Sequence, residues 1–156
     1  VFVKSDIEIA EDRVGKHRAS LSYNWKRFFD NGCVVAAGSD SPVEDFSPLL
    51  GIEGAVNRRD WNDQPKEGWF PDQCLTVEQA VSAFTTGAAY ANYEEDLKGT
   101  IEAGKFADLI VLSDDIFTID KDKLADITVD KTIIGYVFLK VIKFSNEKEI
   151  KTVFSR

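Results

Sequence analysis

Apolar positions recur along this chain with two different periods. From His17 to Asp30, Leu21, Trp25, Phe28 and Phe29 fall at i, i+4, i+7 and i+8, which is one face of an amphipathic helix. Asn31-Gly32 should end that helix, because both residues tolerate the left-handed conformation of a helix C-terminus. Cys33-Val34-Val35-Ala36-Ala37 follows, apolar throughout and bounded by Gly32 and Gly38. Such a run predicts a strand buried on both faces, as in a parallel sheet. Residues 47–60 predict a second helix opened at Ser47-Pro48, with Leu49, Ile52 and Val56 on one face. Pro65, Gly68 and Pro71 mark residues 61–75 as a loop, which also carries Trp61, Trp69 and Phe70. Thr76-Val77-Glu78-Gln79 fits a capping box, followed by a helical stripe of Val77, Ala80, Val81, Phe84 and Ala88.

Beyond residue 96 the period changes. The turn Glu102-Ala103-Gly104-Lys105 precedes a strand over Ala107–Leu112. Residues 114–130 are acidic and turn-like, and Thr132–Leu139 reads as a second strand. Ser145-Asn146 would turn the chain into a last strand around Ile150–Phe154. The first 16 residues are mixed, with a short apolar start and an acidic stretch closing at Gly15. An α/β part over 1–97 and a β-rich part over 98–156 are therefore expected, with the boundary near 97–104.

Composition narrows what such a chain does. The 156 residues are 44% hydrophobic and 29% charged, enough for a core and unlike a disordered segment. The net charge of -8 argues against nucleic-acid phosphates or anionic lipids as partners. No apolar run is long enough to span a bilayer and no signal peptide opens the chain, so a cytoplasmic location is expected. The chain holds no Met, so Val1 is expected to be a processed or excised start. Its one histidine, His17, excludes a multi-histidine metal site built from this chain alone. Cys33 and Cys74 are too few for a disulfide framework and are expected to be reduced and partly buried.

The sharpest chemical candidate is Asp40, in Gly38-Ser39-Asp40-Ser41-Pro42 at the C-terminal end of the predicted buried strand. In α/β architectures that is where chemistry is placed. A carboxylate there could bind a divalent metal ion or take a proton from an attacking water. The plainer reading is that Ser39, Asp40 and Ser41 satisfy N–H groups of a turn, and local sequence alone favours it. Neither serine lies in a G-x-S-x-G elbow, and the cysteines have no base beside them. His17, between Lys16 and Arg18, reads as an exposed polar residue. Asp114, Asp115, Asp120, Asp122 and Asp126 lack the glycine and closing Glu of a calcium loop and read as solvated turns. Trp61, Trp69 and Phe70 would either shape a substrate or partner surface or pack the loop onto the core.

Four stretches in order resemble the C-terminal part of the amidohydrolase superfamily, in the amidohydrolase 3 group with N-substituted formamide deformylase-like enzymes. They are Arg18–Tyr23 with Trp25 and Phe28–Gly32; Ala36-Ala37-Gly38-Ser39-Asp40-Ser41-Pro42-Val43; Leu75–Ala80 with Thr85–Ala91; and Lys98–Leu112. The resemblance implies the end of a TIM-type metal-dependent hydrolase barrel, comprising its last strand and helices, plus part of a composite β-sandwich. It implies that Asp40, as the strand-8 Asp, binds the metal ion and shuttles the proton from the attacking water. It reverses the preference at Asp40. The family's His-x-His motif and later histidines are absent here, and a full barrel takes about 250 residues. The expected cofactor is thus a divalent metal ion, zinc by preference, in the full-length parent, with none bound to this chain alone. The expected partners are the rest of the parent chain, an amide-like small-molecule substrate, and a second copy of the chain. The competing expectation is a non-catalytic partner-binding or regulatory module, similar to proteins described as exoenzyme regulatory proteins.

Overall fold

A computed structural model describes residues 1–135 and 153–155. Five helices precede a small sheet: α1 (Phe2–Ala19), α2 (Trp25–Asp30), α3 (Pro48–Asn57), α4 (Val77–Phe84) and α5 (Thr86–Ala91), then β1 (Leu109–Leu112), β2 (Val129–Ile133) and β3 (Val153–Ser155). β1 is central and pairs antiparallel with both neighbours, in the order β2-β1-β3. The predicted turn at Ser145-Asn146 lies outside the described residues.

Two elements form for the reasons the sequence supplies. At α4 the Thr76 hydroxyl accepts from the Gln79 N–H at 3.2 Å while the Gln79 side chain accepts from the Thr76 N–H at 3.1 Å. Both end donors are thereby satisfied. At α3, Pro48 occupies the first turn, where a missing N–H costs nothing.

Three expectations are corrected. The first 16 residues, whose mixed pattern predicted no element, form most of α1, bent at Gly15, whose φ of 74° and ψ of 152° are non-helical. Val3 and Ile7 line its buried face. The helix expected over 17–30 is two pieces, because the chain turns through residues 20–23 before α2 begins. Most important, Cys33–Ala37 forms no strand and joins no sheet among the described residues, and Val34 is 57% exposed. A parallel strand exists only by pairing with neighbours, and the strands that would flank this one are not among those described. Cys33 is accordingly exposed rather than partly buried.

The main core draws on both halves of the chain. Ile52, Val56, Leu75 and Val81 pack with Leu112, Ile116, Leu124 and Ile127. Polar ties run alongside: Asn57 donates to the Lys121 carbonyl at 2.9 Å, and Arg59 pairs with Asp122 at 2.8 Å. α1 is joined to α3 by a buried ion pair, Lys4–Glu53 at 2.6 Å.

Candidate functional site

The apolar run Cys33–Ala37 is fixed against the α4–α5 junction. Cys33 donates to the Phe28 carbonyl at 3.0 Å as α2 ends, and Ala37 donates to the Ala83 carbonyl at 3.0 Å. Between these bonds the Val35 carbonyl lies over Gly87, so close that a Cβ at Gly87 would stand 2.0 Å from it. Gly87 therefore lets the run lie on α5 backbone to backbone.

From that base the chain enters the Asp40 loop. Asp40 adopts φ of 56°, a left-handed conformation that Asp tolerates better than most residues. Its carbonyl accepts from the Val43 N–H at 3.0 Å. Other side chains meet the loop's polar needs: the Ser39 hydroxyl accepts from the Ser41 N–H at 3.3 Å, and the Asp45 carboxylate accepts from the Ser47 N–H at 2.7 Å. The turn-satisfying role thus falls to Ser39 and Asp45. Asp40 is exposed, and among the described residues nothing hydrogen-bonds or ion-pairs with its carboxylate.

The other candidates are not brought to it. His17 is exposed near the end of α1. Cys74 is half-buried, and burial pushes its thiol up, which disfavours the thiolate. In the acidic run, Asp120 accepts from the Asp122 N–H at 3.0 Å and Asp115 from the Phe117 N–H at 3.0 Å, consistent with turn duty. Among the described residues no group of three or more His, Cys, Asp or Glu could hold a metal ion. Asp40 suits an oxygen-ligand role, being exposed and unpartnered, but the described chain supplies that one donor only and does not fit a metal ion by itself.

Of the loop aromatics, Trp69 is buried at 4% exposure and packs with Val3, Ile7 and Ala19, while Trp61 stays exposed. Packing onto the core therefore accounts for Trp69. A cleft of about 320 Å³ opens beside Val34, between Tyr90, Thr100 and Lys105. Its Lys105 ammonium is already engaged by the Glu95 carbonyl and the Thr100 hydroxyl, both at 2.7 Å, and by Glu102 at 3.3 Å.

Sequence reasoning missed Arg58. It is fully buried at 0% exposure, with left-handed φ of 48°. Its guanidinium donates to the carbonyls of Trp69 at 2.7 Å and Tyr23 at 2.8 Å, and to the Gln73 amide oxygen at 3.4 Å. It lies 5.3 Å from the Trp69 ring and 5.9 Å from the Trp25 ring. With no carboxylate bonded to it among the described residues, burial lowers its pKa, yet the donors are matched to oxygens and the charge to ring faces. An Arg closing an apolar helix amid several Trp residues was the available signal.

A family model described as amidohydrolase family matches residues 1–136. This chain belongs to the amidohydrolase family. It is 39% identical over 134 residues to "Putative amidohydrolase YtcJ" of Bacillus subtilis (strain 168), covering 86% of this chain and 25% of that protein. It is 32% identical over 111 residues to Protein LONG AFTER FAR-RED 3 of Arabidopsis thaliana, covering 69% of this chain and 18% of the relative. To the N-substituted formamide deformylase of Arthrobacter pascens it is 31% identical over 112 residues, 72% of this chain and 20% of the enzyme. The chain thus spans a quarter or less of the length of these relatives. No solved structure matches it significantly. The fold described here, helices followed by a small sheet, is compatible with an amidohydrolase family domain.

Proposed function

We propose that this chain carries the last strand and active-site loop of a metal-dependent amidohydrolase that cleaves non-peptide carbon–nitrogen bonds. Residues 1–97 form the end of a TIM-type barrel in this reading, and residues 98–156 form a segment of a composite β-sandwich. The observation that supports it best is Asp40: an exposed carboxylate without a partner among the described residues, at the end of an apolar run that joins no sheet among those residues. Asp40 accepts the proton of the attacking water and returns it to the leaving nitrogen. As a carboxylate it suits both the base and the conjugate acid roles. The other metal ligands, for which zinc is the expected ion, come from the rest of the parent polypeptide. The name of the Arthrobacter relative supports an amide-like substrate of the formamide type. A cytoplasmic location belongs to the same reading. No helix among the described residues is long and apolar enough to cross a membrane.

The test uses the polypeptide that joins this chain to the histidine-bearing part of the barrel. Asp40→Asn should lower kcat on N-substituted formamides by about 100-fold or more, the range of a positioned proton carrier. Retention of more than a tenth of the rate would refute the role. The isolated 156-residue chain should show no turnover with added zinc, and turnover there would refute the fragment reading. The run at 33–37, which joins no sheet among the described residues, should also drive self-association, so a monodisperse monomer by light scattering would count against an incomplete barrel.

The competing reading of a non-catalytic binding module keeps only part of its aromatic-loop motive, since Trp69 is a core residue while Trp61 stays exposed. The other, the apolar tail after Gly135, lies outside the described residues.

A further inference from the structure

The peptide unit that follows Asp40 is held at both ends. Its carbonyl oxygen, that of Asp40, accepts from the Val43 N–H at 3.0 Å. Its N–H, that of Ser41, donates to the Ser39 hydroxyl at 3.3 Å. Asp40 lies inside this second bond, which runs from the residue before it to the residue after it. The ring so closed is a serine turn, the hydroxyl counterpart of an Asx-turn. Asp40 needs such a hold, because its φ of 56° belongs to a region that side chains other than Gly populate at a cost. Val43 contributes backbone alone. Ser39, half-buried where the loop begins, is therefore the one side chain among the described residues that bonds across Asp40.

We infer that Ser39 is a positioning residue for Asp40. This rests on the Asp40 reading above and deepens it. By accepting the Ser41 N–H, the hydroxyl keeps the peptide unit between Asp40 and Ser41 from turning over. It thereby fixes the direction in which the Asp40 Cβ leaves the chain. The carboxylate is aimed through its backbone and stays free to take a proton and give it back. Asp45, five residues on, shows the alternative: its carboxylate accepts from the Ser47 N–H and is engaged by the turn itself. A hydroxyl suits the duty at position 39, since it accepts the bond and brings no charge next to Asp40. Misplacing a reacting group by on the order of 1 Å can cost about 100-fold in rate. Loss of the Ser39 bond leaves the Val43 bond in place, so the expected loss is smaller, about 10-fold.

The experiment uses the polypeptide that joins this chain to the rest of the barrel, with N-butylformamide as the probe substrate. Ser39→Ala removes the hydroxyl. It should lower kcat by about 10-fold while KM stays within about 2-fold, because Asp40 acts on the proton and not on substrate binding. The thermal midpoint should not move, since the loop belongs to neither buried cluster. Amide exchange should quicken at Val43 as well as at Ser41, because the peptide unit between their bonds is loosened. Ser39→Thr and Ser39→Asn each return an acceptor for the N–H two residues on, and at least one should recover roughly half the rate or more. Four results would overturn the inference: an unchanged kcat, both rescue variants as slow as Ser39→Ala, unaltered exchange at Val43, or an equal loss from Asp45→Ala, which removes a bond of the same loop that does not span Asp40. Unaltered exchange in a slow enzyme would mean that the hydroxyl touches substrate instead. Asp40→Asn, run in parallel, separates the two levels. If it abolishes turnover while Ser39→Ala keeps the full rate, only the role of Ser39 fails. If Asp40→Asn stays active, the underlying reading fails and the role of Ser39 in catalysis fails with it.

Discussion

Gly87→Ala isolates the contact that seats the apolar run. In the interior of a helix, exchanging Gly for Ala stabilises by roughly 0.5–1 kcal/mol through backbone entropy. At Gly87 that gain meets a collision. The new Cβ would stand 2.0 Å from the Val35 carbonyl oxygen, 3.0 Å from its carbon and 3.2 Å from the Ser82 oxygen. A close C···O approach is about 3.3 Å, so Val35 would have to retreat by roughly 1.3 Å. These are backbone atoms and cannot rotate away. Overpacking of this kind costs about 1–3 kcal/mol, which exceeds the entropic gain. The net expectation is a loss of about 1–2 kcal/mol in urea unfolding, together with faster exchange of the Ala37 amide as its bond to Ala83 is strained. Gly54→Ala is the matched control. There the added Cβ meets Lys4 Cγ at 3.4 Å and Lys4 Cδ and Val3 Cγ1 at 3.6 Å, ordinary contacts, so α3 should gain roughly 0.5 kcal/mol. If Gly87→Ala stabilises as much as Gly54→Ala, the run does not lie on α5 and the placement of Asp40 is wrong.

Two further outcomes follow from the buried polar groups. Arg58→Met keeps length and removes the donors that serve Tyr23, Trp69 and Gln73. Leaving buried oxygens unsatisfied should cost about 3 kcal/mol or more, read as a lower urea midpoint with quenching changes at the two tryptophans that flank the guanidinium. A loss below about 1 kcal/mol would show that water reaches those oxygens. Tyr23 is pushed up to about 12 by burial, then by its hydrogen bond to Asp6 and the nearby carboxylates. A raised phenol pKa means that the folded state holds the proton more tightly. The stabilisation is complete below the unfolded value of about 10 and fades as pH climbs toward 12. Ultraviolet titration should show a late phenolate component that Tyr23→Phe removes. A titration lacking that component would refute the Tyr23–Asp6 contact.

How much of this was legible from residues alone depends on whether the needed partner lies nearby in sequence. The α4 capping box is contained in four consecutive residues, and α3 announces itself by Ser47-Pro48, so both were readable. The strand expected at 33–37 was not, because residue types show fitness for a buried strand but not whether neighbours exist to pair with it. Val3 and Ile7 do sit at helical spacing, but the charged residues around them obscured α1. Arg58 was missed because what it binds comes from two segments distant in sequence, residues 22–23 and 69–73, so the Arg closing an apolar helix was the one local sign. That the Asp40 side chain is free of turn duty was visible only in the structure, because Ser39 and Asp45 take that duty.

The ten residues from Gly38 to Ser47 are tethered at both ends, by Ala37 on Ala83 and by the start of α3, and contribute nothing to either buried cluster. If the loop carries the chemistry proposed for Asp40, selection for a folded chain and selection for that chemistry fall on different positions, and a lineage could alter the loop while inheriting its scaffold unaltered.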